Sequence, residues 1–209
     1  MKIMETSIGE FVQKLAGASA TPGGGSVAAL AGALGAALCA MVGRLTAGRP
    51  KFRDVTPEMN RMLETADRLS LKLLELADKD IDAYNRVMTA FKMPKESDKQ
   101  STLRREAIQN AFKQASRVPM QTLQTLEELV GLVEKSLFAG NPNCFTDAAV
   151  AAELVRAAAR SAAYNVRINL PEIDDKEFVQ QIQAELAQRL PRIFSVFQNL
   201  EKTIDGRLG

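Results

Sequence analysis

One stretch constrains the fold more than any other: residues 21–47, a glycine-rich turn followed by an apolar segment. Residues 27–42 carry no charge, and Gly32, Gly35 and Gly43 recur at helical spacings. Each glycine inside a helix costs up to about 1 kcal/mol relative to alanine. Close approach by the backbones of neighbouring helices would compensate for that cost, so the sequence predicts an Ala/Gly-rich central helix buried among other helices.

The turn before this helix reads Thr-Pro-Gly-Gly-Gly-Ser at residues 21–26. Such glycines can leave several N–H groups pointing outward at a helix N-terminus, where anions bind. The run matches neither the P-loop nor the dinucleotide-binding pattern, so a tight turn that only leads into the helix is the competing interpretation. Spacing alone leaves both open.

Composition indicates one helical domain covering residues 1–209. Two tyrosines, nine phenylalanines and no tryptophan leave alanine and aliphatic side chains to build the core, which favours helices over sheet. A net charge of +2 with well-mixed signs argues against nucleic acid as a partner. Cys39 and Cys144 are too few and too far apart for a disulfide framework or a zinc knuckle.

The central segment also bears on localisation. Residues 23–43 are long enough to span a bilayer, but their Ala and Gly content makes them only weakly hydrophobic and no second span follows. We therefore predict a buried helix and no membrane association. Nothing in the sequence resembles a signal peptide, so a cytoplasmic protein is expected.

The chain contains no histidine. A Ser-His-Asp triad, a Cys-His pair and a histidine-ligated metal are thereby excluded, and no metal site is predicted. Acid–base chemistry must come from carboxylates, Lys, Tyr or Cys whose pKa is tuned by burial.

Helix-start and helix-stop residues divide the chain into six or seven helices, and we predict an elongated all-α bundle in a single domain. Thr56 is expected to cap the third helix, and Pro119 and Pro191 to kink later ones. The predicted helices span about residues 7–18, 27–47, 57–93, 102–138, 143–170 and 174 onward.

Asp80 is the carboxylate on the long third helix that a solvated face does not explain. On a 3.6-residue period it falls in the apolar seam with Leu73 and Tyr84, whereas Asp78 and Asp82 fall on the polar face. A buried carboxylate costs several kcal/mol unless it is paired or protonated. Asp80 is therefore either an acid–base group with a raised pKa or one half of a salt bridge to an arginine.

A second polar set flanks the helix that begins near residue 143. Asn141, Asn143 and Asp147 lie at its start, where they can also serve as caps, and Asn165 and Asn169 lie at its end. Eighteen residues of helix separate Asp147 from Asn165 by about 27 Å. The two groups would have to line opposite ends of an elongated ligand, or meet in one pocket across a dimer interface.

Five short motifs follow one another in a fixed order. They are Thr-Pro-Gly-Gly-Gly-Ser-Val-Ala-Ala (21–29), Gly-Arg-Pro-Lys-Phe (48–52), Asp-Lys-Asp (78–80), Gly-Asn-Pro-Asn-Cys-Phe-Thr-Asp (140–147) and Asn-Val-Arg-Ile-Asn-Leu (165–170). In this order and spacing they resemble the cyclodeaminase domain of formiminotransferase-cyclodeaminase and the related stand-alone methenyltetrahydrofolate cyclohydrolases. The resemblance covers about residues 7–200.

That resemblance implies an all-helical homodimer that acts on one-carbon units of tetrahydrofolate, with no cofactor beyond this substrate. The cyclodeaminase closes N5-formimidoyl-tetrahydrofolate to the 5,10-methenyl form with loss of ammonia, and the cyclohydrolase opens the methenyl bridge with water. By register the catalytic aspartate is Asp80. The implied substrate-binding residues are Gly23, Gly24, Gly25, Ser26, Arg49, Lys51, Asp78, Asn141, Asn143, Asp147, Asn165 and Asn169.

Two classes of function remain in view, a folate enzyme and a non-catalytic helical dimer that binds folate or a partner protein. A carboxylate in an apolar seam favours the enzyme, because a scaffold has no physical need for it. Between the two reactions, the motifs at residues 140–144 and 165–169 look closer to the cyclodeaminase branch. The formiminotransferase domain of that family has no counterpart in these 209 residues, which leaves the physiological substrate open.

Overall fold

The computed structural model describes residues 2–209, which form six α-helices and contain no strand. The all-α prediction is confirmed. Short 3-10 turns at Ile3–Glu5, Pro50–Phe52, Pro142–Cys144 and Leu170–Glu172 lie between or before the helices. The helices are α1 (Ile8–Leu15), α2 (Gly24–Ala47), α3 (Thr56–Phe91), α4 (Asp98–Phe138), α5 (Phe145–Asn169) and α6 (Lys176–Leu208).

Helices α2 to α5 form an antiparallel four-helix bundle, because short turns reverse the chain after each of them. α2 packs between α3 and α5 and also touches α4, while α6 covers the outside of α4 and α5. The start of α2, the end of α3, the start of α4 and the end of α5 therefore meet at one end of the bundle.

Local chemistry explains several helix ends, and some of these ends differ from the predictions. Thr56 is the first residue of α3 and its side chain does not cap the helix. α4 begins earlier than expected, because Ser97 and Gln100 form a capping box. Asp175 caps α6 through the backbone N–H of Phe178. Proline does not interrupt α4 or α6, each of which continues through its internal proline.

The small residues of α2 permit the close helix packing that the sequence predicted. A methyl group at Gly32 would lie 2.5 Å from Leu126 Cδ2, and one at Gly35 would lie 2.7 Å from Val155 Cγ2. Real side chains do not approach so closely, so these positions require glycine. α2 is long and apolar enough to cross a membrane, yet most of its residues are buried inside the bundle.

The same packing gives a stability prediction with an internal control. Gly35→Ala is expected to lower the free energy of unfolding by about 1–3 kcal/mol, the usual cost of overpacking. Gly131→Ala places a methyl group where no atom lies within 4 Å and should raise it by up to about 1 kcal/mol through helix propensity. Urea unfolding of both variants measures the difference. Equal effects would contradict the close-approach argument.

The apolar side chains of α1 are only partly buried. Phe11 packs into the core, but Ile8 is 83% exposed, and Val12 and Leu15 are also exposed. α1 therefore contributes one anchoring side chain to the bundle and leaves three apolar side chains on the surface.

Candidate active site

A cleft of about 410 Å³ opens at the end of the bundle where α2 begins. The glycine turn forms one wall, and the second half of α3, the start of α4 and the end of α5 form the others. The polar lining consists of the turn residues with Asp80, Asn165 and Asn169. The apolar lining includes Tyr84, Val87, Met88, Phe91, Phe112 and Ile168.

Asp80 lies half-buried on this cleft and is held by the start of α2. The hydroxyl of Ser26, itself fully buried, donates a hydrogen bond to Asp80 Oδ2 at 3.0 Å. Burial raises the pKa of the Asp80 carboxyl, while hydrogen bonds from the side chain and backbone of Ser26 partly offset that rise. None of the ion pairs within residues 2–209 involves Asp80, so the salt-bridge alternative finds no partner.

The glycine turn is shaped around this carboxylate. A methyl group at Gly25 would lie 2.5 Å from Asp80 Cγ and still closer to its Oδ1. Gly24 is exposed and faces Asn165, whose amide atoms would be 3.7 and 3.8 Å from an added methyl group. The turn thus does more than begin α2, because its lack of side chains admits the Asp80 carboxyl.

The seam of α3 divides into two parts at Asp80. Leu69, Leu73 and Ala77 are fully buried in the core. Tyr84, which was predicted in the same seam, is 38% exposed, Phe91 is 43% exposed, and both line the cleft. The apolar seam therefore leads from the core into a site with an aromatic wall.

Asn165 and Asn169 reach the cleft from the end of α5. The Asn165 side-chain amide donates to Ser161 O at 2.8 Å, and that of Asn169 donates to Asn165 O at 2.8 Å and Ala115 O at 3.0 Å. These bonds orient both side chains. Neither amide oxygen accepts a hydrogen bond from another residue in the described part of the chain, so both can accept one from a ligand.

The other predicted site residues do not join this cleft within one chain. Arg49, Lys51, Asn143 and Asp147 lie at the opposite end of α2, about 34 Å away by helix length. Lys51 Nζ lies 4.6 Å from the centroid of the Phe52 ring. We refer to these four residues together with Asn141 as the distal cluster.

Within the distal cluster, the structure uses Asn141 for local architecture. Its backbone N–H donates to Thr46 Oγ1 at 2.8 Å, its side-chain amide donates to Leu45 O at 3.3 Å, and its Oδ1 accepts from Asn143 N at 3.1 Å. These contacts join the end of α2 to the start of α5. A substrate contact by Asn141 remains a prediction.

Cys144 lies beside the same cluster and is buried. Burial and the nearby Asp147 carboxylate raise the pKa of the Cys144 thiol, and Arg49 offsets part of the rise. The thiol is thus not activated as a nucleophile.

Asp78 and Asp82, the aspartates two residues before and after Asp80, have different surroundings from Asp80 and from each other. Asp78 Oδ1 accepts a hydrogen bond of 2.8 Å from the backbone N–H of Ile3, which fixes the N-terminal segment against α3. Asp82 is exposed and faces a different, polar depression between α3 and α4. Of these three aspartates, only Asp80 lines the cleft.

Sequence reasoning missed the apolar walls contributed by Met88, Phe112 and Ile168. Phe112 comes from α4, and no local pattern indicates that it meets α3 across the cleft. The position of Ile168 could have been predicted from the sequence. It lies three residues after Asn165 in the same helix, so the two side chains point to nearly the same face.

The pKa of Asp80 gives a stability prediction. Its pKa is higher in the folded state than in the unfolded state. The ionised carboxyl therefore lowers the free energy of unfolding as pH rises above the unfolded-state pKa of about 3.9. Asp80→Asn removes this penalty and should raise the melting temperature at neutral pH. The gain should shrink toward zero as pH falls below the unfolded pKa, since aspartic acid is then neutral in both states. Thermal unfolding across pH checks this, and a less stable variant at neutral pH would contradict it.

Several known proteins are similar to this chain in sequence. Residues 7–188 match the formiminotransferase-cyclodeaminase family. A methenyltetrahydrofolate cyclohydrolase from Methylorubrum extorquens is 34% identical over 202 residues, covering 97% of this chain and 97% of that protein. The formimidoyltransferase-cyclodeaminase of Mus musculus is 34% identical over 188 residues, 90% of this chain but 35% of the mouse protein.

The fold is also that of a solved relative. The crystal structure of formiminotetrahydrofolate cyclodeaminase from Thermotoga maritima superposes with a TM-score of 0.89 at 34% sequence identity, covering 99% of this chain and 100% of that chain. Sequence and structure agree over nearly the whole length, and the chain belongs to the formiminotransferase-cyclodeaminase family.

Proposed function

We propose that the protein is a tetrahydrofolate one-carbon enzyme that converts N5-formimidoyl-tetrahydrofolate to the 5,10-methenyl form and ammonia. The observation that carries this proposal is Asp80, a half-buried carboxyl with a raised pKa on a cleft with aromatic walls. Ring closure and loss of ammonia require one proton to be taken from N10 and one to be given to the leaving nitrogen, both of which are bonded to the same carbon. A carboxyl tuned toward neutral pH can do both in turn.

In this mechanism N10 attacks the carbon of the protonated formimidoyl group (–CH=NH2⁺), the C=N double bond opens to leave an amino group, and Asp80 takes the proton that N10 loses. The tetrahedral carbon then carries N5, N10 and an amino group. Asp80 returns the proton to that amino group, which leaves as ammonia while the methenyl bridge forms. Ser26, which donates to Asp80 Oδ2, keeps the carboxyl oriented through both transfers.

The cleft walls suit the flat rings of a folate. Tyr84, Phe91 and Phe112 line it and offer stacking or edge contacts. The amide oxygens of Asn165 and Asn169 are acceptors for the N–H groups of a pterin. These roles extend the predicted binding residues by an aromatic wall.

A methenyltetrahydrofolate cyclohydrolase is the second candidate. It is favoured by the Methylorubrum extorquens relative, which bears that name and is matched over 97% of both chains. The same site would serve, with Asp80 taking a proton from water as it adds to the methenyl carbon and returning the proton to the leaving nitrogen. No further cofactor or metal is proposed in either reaction.

Absorbance of the methenyl chromophore separates these functions. Purified protein is mixed with formimidoyl-tetrahydrofolate in one cuvette and with methenyl-tetrahydrofolate in another. A cyclodeaminase generates the chromophore and ammonia in the first, and a cyclohydrolase bleaches it faster than buffer in the second. No change in either cuvette would overturn the proposed catalysis and leave the non-catalytic binding dimer.

We also propose that the protein is a cytoplasmic homodimer that associates through the exposed side of α2. This side is uncharged over residues 27–41, and Leu34 on it is 51% exposed. Light scattering at micromolar concentration should give twice the mass of the 22.8 kDa chain. Leu34→Glu should shift the mass toward one chain, and a wild-type monomer would contradict the proposal.

A further inference from the structure

We infer that the active site is completed by a second copy of this chain, whose Arg49 and Lys51 bind the carboxylates of the folate glutamate tail. The inference rests on the proposed function and on the proposed homodimer. It assigns a role to the distal cluster, which one chain alone does not bring to the cleft.

The cleft lacks a cation. Of the residues that line it, Asp80 is the only charged one. A folate ends in glutamate and carries at least two carboxylates, and charged groups of this kind are held in proteins by Arg or Lys. Among the described residues, the guanidinium of Arg104 lies next to the cleft, 5.8 Å from the centroid of the Phe91 ring, but it donates to Phe91 O. The lining itself therefore supplies no positive charge for the tail, and we assign that charge to a second chain.

An uncharged surface runs from the cleft toward the distal cluster. On α2 it comprises Val27, Leu30, Leu34, Leu38 and Met41, which are exposed or half-buried at successive turns. Beside it on α5 lie Val150, Leu154, Ala157, Ser161, Tyr164 and Ile168, also without charge. Ile168 belongs both to this face and to the cleft lining, so a partner seated on the face reaches the mouth of the cleft.

Two-fold symmetry permits two arrangements of such a face. With the axis along α2, the helices are parallel, and each end meets its own copy. With the axis across α2, the helices are antiparallel, and the cleft of one chain meets the distal cluster of the other. Charge and helix dipoles decide between them.

The antiparallel arrangement is electrostatically complementary. Parallel packing would place the basic ends of two copies together, with Arg49 and Lys51 facing their own copies, and would align the two α2 dipoles. Antiparallel packing instead places these cations beside the Asp80 end of the partner. The α2 N-terminus of one chain then lies beside the α2 C-terminus of the other.

Arg49 and Lys51 are available for this role. Both are exposed, and neither belongs to an ion pair within residues 2–209. Their neighbours differ, because Arg44 pairs with Asp67 and Arg53 pairs with Asp54. Among these four basic residues, Arg49 and Lys51 are thus the two without a carboxylate partner in the described part of the chain, and the antiparallel dimer carries both to the cleft.

The first test reads the role of the cations through substrate binding. Arg49→Ala combined with Lys51→Ala should raise KM at least tenfold for a glutamate-bearing folate while kcat stays within about threefold. KM for the same one-carbon substrate without the glutamate should not change. Arg53→Ala is the matched control and should leave both parameters near wild type. An unchanged KM in the double variant would overturn the inference.

Complementation tests whether the site is shared. Asp80→Asn and the Arg49/Lys51 double variant are co-expressed with different tags, so that mixed dimers form. In a shared site one of the two clefts of a mixed dimer is fully wild type, and statistical mixing should restore roughly a quarter of wild-type kcat/KM. If each cleft uses its own chain, the mixture shows only the average of its parents, and the inference is wrong.

Cross-linking tests the geometry without any activity. Val27→Cys and Met41→Cys lie near opposite ends of the uncharged face of α2. In antiparallel dimers, tagged Val27→Cys and Met41→Cys chains should form disulfides with each other and not with themselves. Self-linking of each variant would show parallel packing and overturn the inference. The native Cys39 and Cys144 do not interfere because both are buried, and burial raises the pKa of Cys39 to about 11.

Enzyme activity and cross-linking together separate the inference from the proposed function. If the wild-type protein acts on neither folate, the proposed function fails. Cross-linking still reports whether the distal cluster of one chain meets the cleft of another. If activity is present but cross-linking and complementation fail, the function stands and the shared site does not.

Discussion

Asp80→Asn is expected to lower the turnover rate by about 100-fold or more, the usual scale for loss of a general acid–base. Asparagine keeps the size of the side chain and an oxygen that accepts the hydrogen bond from Ser26. It removes only the ability to take up and release a proton. The measurement is steady-state kinetics with whichever folate is turned over, and KM should change much less than kcat because the shape of the cleft is retained.

Asp82→Asn is the matched control for this prediction. Asp82 lies on the same helix two residues away, is exposed and lines a different depression. Its replacement removes the same charge and should leave turnover within a few-fold of wild type. Full activity of Asp80→Asn, or loss of activity in Asp82→Asn, would mean that the wrong carboxylate has been identified.

The pH dependence of turnover is a second test of whether Asp80 is the proton acceptor. Burial raises the pKa of Asp80, so the carboxylate form that accepts the first proton appears only above the ordinary aspartate range. The rate should therefore fall on the acid side with an apparent pKa above about 3.9. Asp80→Asn should abolish this limb in the residual activity.

The sequence was sufficient to predict the position of Asp80 beside the apolar seam of α3, because helix periodicity is local information. Its position relative to Leu73 and Ala77 follows from 3.6 residues per turn, and the structure buries both of those side chains. The partner of Asp80 was not predicted. Ser26 is 54 residues away in sequence, and only the packing of α2 on α3 brings the two together.

The asparagines at the two ends of α5 also show that contacts between distant parts of the chain cannot be predicted from local sequence. Asn141 and Asn165 looked alike in sequence, since both are asparagines near an end of one helix. In the structure, Asn141 has its side-chain amide and oxygen occupied by Leu45 and Asn143, whereas Asn165 lines the cleft. Periodicity does give the separation of the two groups along α5. It does not say which hydrogen-bond partners a polar side chain will find, because those come from other helices.

Asp78 illustrates a related ambiguity. The family resemblance implies that it contacts substrate. The structure shows its Oδ1 accepting from the backbone of Ile3, a contact over 75 residues that no sequence pattern indicates. A role in substrate binding for Asp78 remains a prediction.

Gly25→Ala is expected to reduce turnover nearly as much as loss of Asp80 itself. The added methyl group would occupy space that the Asp80 carboxyl now fills, lying 2.5 Å from its Cγ. Either the carboxyl rotates away or the first turn of α2 shifts, and both break the hydrogen bond between Ser26 and Asp80. Alanine is favoured over glycine in a helix by up to about 1 kcal/mol, so the melting temperature should change far less than the rate.

Gly24→Ala provides the comparison one residue away. Its methyl group would lie 3.7 Å or more from the nearest atoms, those of the Asn165 amide, which is ordinary van der Waals contact. Turnover should stay within a few-fold of wild type. Equal losses in the two variants would show that any side chain in the turn is harmful, and would remove the argument that Gly25 makes room for Asp80.

A double-mutant cycle decides whether Gly25 acts through Asp80. If the methyl group harms catalysis only by displacing the carboxyl, Gly25→Ala should cost about 100-fold in the wild-type background and almost nothing in Asp80→Asn. Additive losses would mean that Gly25→Ala also damages substrate binding directly. The cycle requires only kcat/KM for four proteins, each shown by circular dichroism to be folded. Strong non-additivity would establish that the glycine turn serves catalysis by admitting the Asp80 carboxyl.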